Sequence, residues 1–300
     1  MNTTTDQIIT EYLEWAEHRA RLSAATIKAY RWTLGKYAEW LGDRSICDVT
    51  FADVEDFGSR VRRDGPPSAA SARRDIVVIR NLHDWASERD FPVRRVKSAR
   101  APKVADRVPK PLDDDVWLQL WESDLSPDDR WWLGLGYFCG LRRVEIVTIS
   151  ARDFDLDRGE MRFKRKGGST QPIEYRAMIE IVAEELPHVA TGWETFLGLL
   201  AEMVRSRHDD LWLWHDATGD IENDCNRLNK LLARKLCPAA GLPSNAVTPH
   251  RLRHSCATNL LRCGVEPAFI MDALSHSDIS TTMKYMKTAG QLSRWKERKT

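Results

Sequence analysis

The 300-residue chain is 42% hydrophobic and 30% charged, the balance of an ordinary globular protein with length enough for two cores. No apolar run approaches the roughly 20 residues that span a bilayer, and the opening MNTTTDQIIT lacks the basic and apolar regions of a signal peptide, so a cytoplasmic protein with no membrane partner is expected. Net charge is +1, unevenly spread: residues 1–111 hold 20 Lys and Arg against 16 Asp and Glu, the remainder 25 against 28.

The first ninety residues read as helices. Over 7–19, Ile8, Ile9, Tyr12, Leu13 and Trp15 recur at helical spacing. Ser23 caps a second helix with Ile27, Tyr30, Leu34, Tyr37 and Leu41 as its stripe and Gly42 as its stop. A third runs over 50–63, and Ser68 opens a fourth with Ile76, Ile79, Leu82 and Trp85 inward and Arg73, Arg74 and Arg80 mostly on the other side. This predicts a small helical bundle over 1–90.

Residues 91–111 break the pattern. Pro92, Pro102, Pro109 and Pro111 interleave with Arg94, Arg95, Lys97, Arg100, Lys103, Arg107 and Lys110, against the single acid Asp106. An extended basic linker is expected, with a domain boundary near residue 110. Such a stripe suits a phosphate backbone and equally suits a solvated linker.

From 112 to 300 a second, mainly helical domain follows. Helices are predicted over 113–121, 128–139 and from Arg142, then a short antiparallel hairpin with strands over 160–164 and 171–175. Further helices are expected over 176–186, 193–206, 222–236, 249–263, 266–274 and 278–286, with Leu211-Trp212-Leu213-Trp214 buried. The fold class is thus mainly α with a small antiparallel β-sheet. Six cysteines without a C-x-x-C pair read as reduced packing thiols.

His250-Arg251-Leu252-Arg253-His254 carries the strongest local chemistry. With Pro249 at the first helical position, His250 and Arg253 share a face. His250 and His254, joined by His276, have the spacing of a metal site, but Arg251 and Arg253 beside them oppose a dication. A guanidinium that forks onto two oxygens, next to an imidazole that exchanges protons near neutrality, suits a phosphate. His276 precedes Tyr285 by nine residues. Gly140-Leu141-Arg142-Arg143-Val144-Glu145 places a glycine before an arginine at a helix start, with Glu145 able to brace it. Lys166 lies at the predicted hairpin tip, able to reach a groove or simply to be solvated.

In order and spacing these pieces resemble the tyrosine recombinase (phage integrase, Xer-type) family. Gly140, Leu141, Arg142 and Glu145 match its G-L-R-x-x-E box; His250, Leu252, Arg253, His254, Ala257 and Thr258 match its H-x-L-R-H box. Leu274, His276, Ser277, Thr281, Thr282 and Tyr285 match its closing segment, and Lys166 its hairpin lysine. Ser23, Thr26 and Tyr30 match the opening of its amino-terminal helical domain. Ser275 stands where the family usually has glycine, and Ser169-Thr170 replace a frequent second lysine.

The resemblance implies a C-shaped clamp on double-stranded DNA that cleaves and rejoins it through a 3′-phosphotyrosyl intermediate, without metal, ATP or other cofactor. It implies Tyr285 as nucleophile, Arg142, Arg253 and His276 on the phosphate, His250 on the phenol proton and Lys166 on the leaving oxygen, with Glu145 and His254 in support. It also implies four protomers on two DNA sites. A type IB topoisomerase, or a catalytically silent DNA-binding regulator of recombinase descent, would share many of these residues.

Overall fold

Thr4 opens the fold with a reciprocal cap: its hydroxyl accepts from Gln7 N and its own N–H donates to the Gln7 side chain. The computed structural model of the chain describes residues 4–104, 110–163, 172–207, 212–214 and 217–274. It divides into two compact units, 1–106 and 107–300.

In the first unit, α1 (Thr5–His18), α2 (Ala24–Leu41), α3 (Phe51–Ser59) and α4 (Ala69–Ser87) pack as a bundle. Ser23, Thr50 and Ser68 each cap the helix that follows by accepting from a first-turn N–H. Ile8, Leu34, Tyr37, Val54, Phe57, Ile79 and Leu82 are fully buried at its centre. Asp75 is also fully buried, and its charge is met by Arg62 at 2.7 Å and Arg60 at 3.3 Å. His83, equally buried, bridges Tyr37 Oη (3.0 Å) and the Arg94 carbonyl (2.9 Å). A carbonyl only accepts, so the His83 proton sits on Nδ1 and Nε2 accepts from the phenol.

The basic segment is not a free strand over its first half. Val93, Val96 and Ala99 are buried in this core, three residues apart, so Arg94, Arg95, Lys97 and Arg100 are turned outward between them. The Arg100 N–H donates to Glu55 at 2.6 Å, and Arg73 reaches the Pro102 carbonyl at 3.5 Å.

The second unit is built around α6 (Pro127–Tyr137) and α12 (Pro249–Arg262). α5 (Asp114–Glu122) and α7 (Arg143–Thr148) flank α6 in sequence; α8 (Tyr175–Glu185), α9 (Trp193–Ser206), α10 (Ile221–Leu231), the short α11 (Cys237–Ala239) and α13 (Pro267–Ala273) complete the described helices. Close packing along α6 depends on small residues. A Cβ on Gly134 would stand 2.1 Å from Phe196 of α9, and one on Gly136 would stand 2.9 Å from Leu252 of α12. Trp117, Trp131, Trp132 and Trp214 are all fully buried in this core.

β1 (Phe154–Asp155) and β2 (Glu160–Met161) form the antiparallel pair, joined by a turn with Gly159 at φ +66°. The returning segment touches at one bridge, Met161 with Ile173, and helix α8 begins at Tyr175, so both predicted strands are shorter than expected. The hairpin tip over 164–171 lies outside the described residues. Trp212 bridges Ser150, with Leu213 and Trp214 buried behind it. The helix expected over 222–236 widens into a π-helical turn at Leu232–Leu236. Pro238 lacks the N–H that an α-helical ladder needs, and the wider turn accommodates its ring.

Among the described residues no helix is long and apolar enough to cross a membrane.

Candidate active site

Two arginines from distant parts of the second unit meet at one oxygen. α6 ends at Tyr137, and Gly140, at φ +66°, turns the chain so that Arg142 becomes the N-cap of α7. Arg253 sits one turn into α12, whose start is fixed by Pro249 and by Thr248, which accepts from Arg251 N. Arg142 Nη2 donates to the Leu274 carbonyl at 3.3 Å, and Arg253 Nη2 donates to the same oxygen. Arg253 Nη1 donates to the Gly140 carbonyl at 2.6 Å.

Glu145 is buried beneath this pair. Its carboxylate takes the Arg142 N–H at 2.6 Å and the Arg142 guanidinium at 2.8 Å, and stands 3.8 Å from Arg253 Nη1. One carboxylate therefore orients two guanidinia, and the cluster keeps a net positive charge. Arg142 remains 28% exposed at the side chain, whereas Arg253 is 4% exposed. Arg142 is the outer, reachable member and Arg253 the inner one.

His250 lies on the same face of α12 as Arg253, with an exposed edge. Lost hydration, then the charges of Arg253 and Arg142, hold its proton affinity below the ordinary histidine value. His250 is thus neutral near pH 7 and able to accept a proton. His254 lies 4.3 Å from His250 between ring centroids; burial, then His250, Arg253 and Arg251, depress its pKa to about 4. The unfolded chain protonates this group near 6.5 and the folded one only near 4. The stability it contributes is present above pH 6.5 and is lost as pH falls toward 4. Urea titrations at pH 7 and pH 5 should show the folded state weaker at pH 5, and His254→Gln should shrink that difference.

Gly140 is required twice over. Its left-handed backbone disfavours any side chain, and a Cβ there would stand 2.5 Å from Leu274 and 3.0 Å from Cys256 Sγ. Gly140→Ala should cost about 2–4 kcal/mol and displace the carbonyl that holds Arg253. The checks are a chemical denaturation midpoint and retention of the Arg253 geometry in a crystal.

Sequence reasoning did not find the carbonyl acceptors of Gly140 and Leu274, nor the bonds by which Arg251 holds the Pro111 carbonyl (2.9 Å) and Ser255 the Leu112 N–H (2.8 Å). A buried arginine must find acceptors, and that requirement was the available signal. Lys166, His276, Tyr285 and Arg107 lie outside the described residues. In the first unit Arg73, Arg74, Arg94, Arg95, Lys97, Arg100 and Lys103 are exposed and Arg80 is half-buried. Arg95 is paired with Glu88 at 3.6 Å and Lys97 with Asp84 at 3.8 Å. Among the described residues no group of three or more His, Cys, Asp or Glu is placed to hold a metal ion.

Residues 118–291 match the phage integrase family, and residues 9–90 match the phage integrase N-terminal SAM-like domain. The chain is 31% identical over 306 residues to the tyrosine recombinase XerD of Staphylococcus epidermidis, covering 95% of this chain and 94% of that protein. It is 30% identical to the XerD of Staphylococcus haemolyticus, covering 93% of each. In fold it is similar to the XerH site-specific recombinase bound to palindromic difH substrate, with a TM-score of 0.66 at 18% identity over 98% of this chain and 84% of that one. It is also similar to a lambda integrase dimer bound to a COC′ core site, with a TM-score of 0.62 at 17% identity over 93% and 94%. The helical fold, the paired arginine boxes and these matches along nearly the whole sequence place the chain in the phage integrase family, as a tyrosine recombinase.

Proposed function

We propose that this recombinase breaks and rejoins duplex DNA at a specific site, with Tyr285 attacking a backbone phosphorus to give a 3′-phosphotyrosyl link and a free 5′-hydroxyl. The observation that carries the reading is the convergence of Arg142 and Arg253 on one oxygen, with neutral His250 beside them. Two guanidinia aimed at one point stabilise charge on the nonbridging oxygens of the transition state, and do so without a metal ion. His250 takes the phenol proton, which at a pKa of about 10 otherwise leaves tyrosine a poor nucleophile. His276 adds a hydrogen bond to the phosphate, and Lys166 protonates the leaving 5′-oxygen. His254 backs His250. The covalent link keeps the energy of the broken bond, so a second DNA end reverses the step without ATP.

The other tyrosines support the choice of nucleophile. Tyr12, Tyr37, Tyr137 and Tyr175 are buried, and burial raises each phenol above its ordinary value. Tyr30 accepts from Asn81 within the helical bundle.

In this reading residues 1–90 form one DNA-binding domain and 112–300 the catalytic one, joined by the basic segment 91–111. The separate matches over 9–90 and 118–291 support that division. Arg73, Arg74, Arg80, Arg94, Arg95, Lys97, Arg100, Lys103 and Arg107 contact the DNA backbone, four protomers act on two sites, and the protein works in the cytoplasm on the nucleoid. The test is a nicked duplex carrying the site recovered from bound DNA, incubated with protein in EDTA and without nucleotide. A protein–DNA adduct that survives detergent is the expected result; its absence on a duplex that binds would overturn the reading.

A further inference from the structure

The point at which the two guanidinia meet already holds an oxygen. It is the Leu274 carbonyl, which accepts from Arg142 Nη2 and Arg253 Nη2 together. Leu274 closes α13, so its carbonyl is one of the last in the helix, where the helix dipole adds negative charge. The Leu274 side chain is 1% exposed and lies over the place a Gly140 Cβ would take. The residue is therefore anchored by its side chain, and its carbonyl points into the cationic cluster.

We infer that the Leu274 carbonyl occupies the seat of a phosphate oxygen, so that DNA enters the arginine clamp by displacing the end of α13. The inference rests on the assignment of Arg142 and Arg253 to the phosphate made above. A phosphate oxygen carries a formal charge and can take a guanidinium fork, so the two arginines gain a coulombic attraction there that a neutral carbonyl does not offer. The phosphate therefore wins the seat when it is present at the clamp, and the neutral carbonyl holds it otherwise. The chain beyond Leu274 carries His276 two residues on and Tyr285 eleven residues on. Filling the clamp and releasing the root of the nucleophile's segment become one event, and the coupling is reciprocal: whatever tightens α13 weakens the anion.

Hydrogen exchange of the full chain reads this directly. With the non-cleaving Tyr285→Phe protein, saturating site duplex should speed exchange of the amides at 271–274 by about tenfold or more, since one charged hydrogen bond is worth about that factor and Leu274 gives up two, while regions facing the DNA slow down. A second arm uses sulfate against chloride at equal ionic strength, without DNA. Sulfate ordinarily strengthens folded structure, so faster exchange confined to α13 would mark occupation of the seat. Exchange at 271–274 that is unchanged or slower in either arm overturns the inference. Covalent capture by the wild type on the same duplex keeps the two claims apart: capture without loosening of α13 sinks only this one, and no capture sinks the reading beneath it.

Discussion

Arg253→Ala will lower covalent DNA capture by about 10³-fold and weaken the second unit by about 3 kcal/mol. Both effects follow from where the guanidinium sits. It is almost wholly buried, and it is the link between the Gly140 carbonyl, the Leu274 carbonyl and Glu145. On the proposed assignment alanine removes the inner half of the charge that faces the phosphate; it also leaves the Gly140 carbonyl without its donor, the Leu274 carbonyl with Arg142 alone, and Glu145 without one of its two cations. Arg253→Lys separates the two effects. An ammonium keeps the charge but cannot span both carbonyls, so folding should recover in part while capture stays more than tenfold down. A urea midpoint and single-turnover capture on a nicked duplex measure the pair. Wild-type capture by Arg253→Ala would contradict the placement of this residue.

Glu145→Ala should be nearly as damaging by a different route. The carboxylate caps the Arg142 N–H, holds the Arg142 guanidinium, and faces Arg253. Without it two cations lie side by side, the inner one buried, and lose the carboxylate they share, a loss of about 3–5 kcal/mol. Glu145→Gln keeps the shape and the backbone cap but not the charge. It should fold more stably than the alanine variant, yet capture DNA more slowly than wild type because Arg142 is no longer pinned. Equal capture by Gln variant and wild type would reduce Glu145 to a capping residue.

The helices were legible wherever a cap and an apolar stripe coincide, as at Ser23, Ser68 and Pro249, because those signals are local. So was the pairing of His250 with Arg253 on one face of α12, a matter of spacing three along a helix. What escaped the sequence depends on partners far along the chain. Val93, Val96 and Ala99 repeat in strict threes, without the steps of four that make an α-helical stripe, and their burial follows only from the bundle they cover. The prolines and bases around them read as open linker. The Leu274 carbonyl has no side-chain signature at all; it lies 132 residues from Arg142 and is found only when the arginines are asked where their protons go. The π-helical turn at Leu232–Leu236 is legible afterwards from Pro238, but a proline near a helix end more often marks a simple stop.

The proposed nucleophile, Tyr285, is tested most directly by mapping the bond between protein and DNA. Protein trapped on a nicked site duplex is digested with nuclease and protease, and the peptide that carries the residual nucleotide is sequenced by mass spectrometry. The expected result is one modified residue, Tyr285, with no adduct from Tyr285→Phe although that protein still binds the duplex. A nucleotide on any other residue, or an adduct that persists in Tyr285→Phe, would contradict the account.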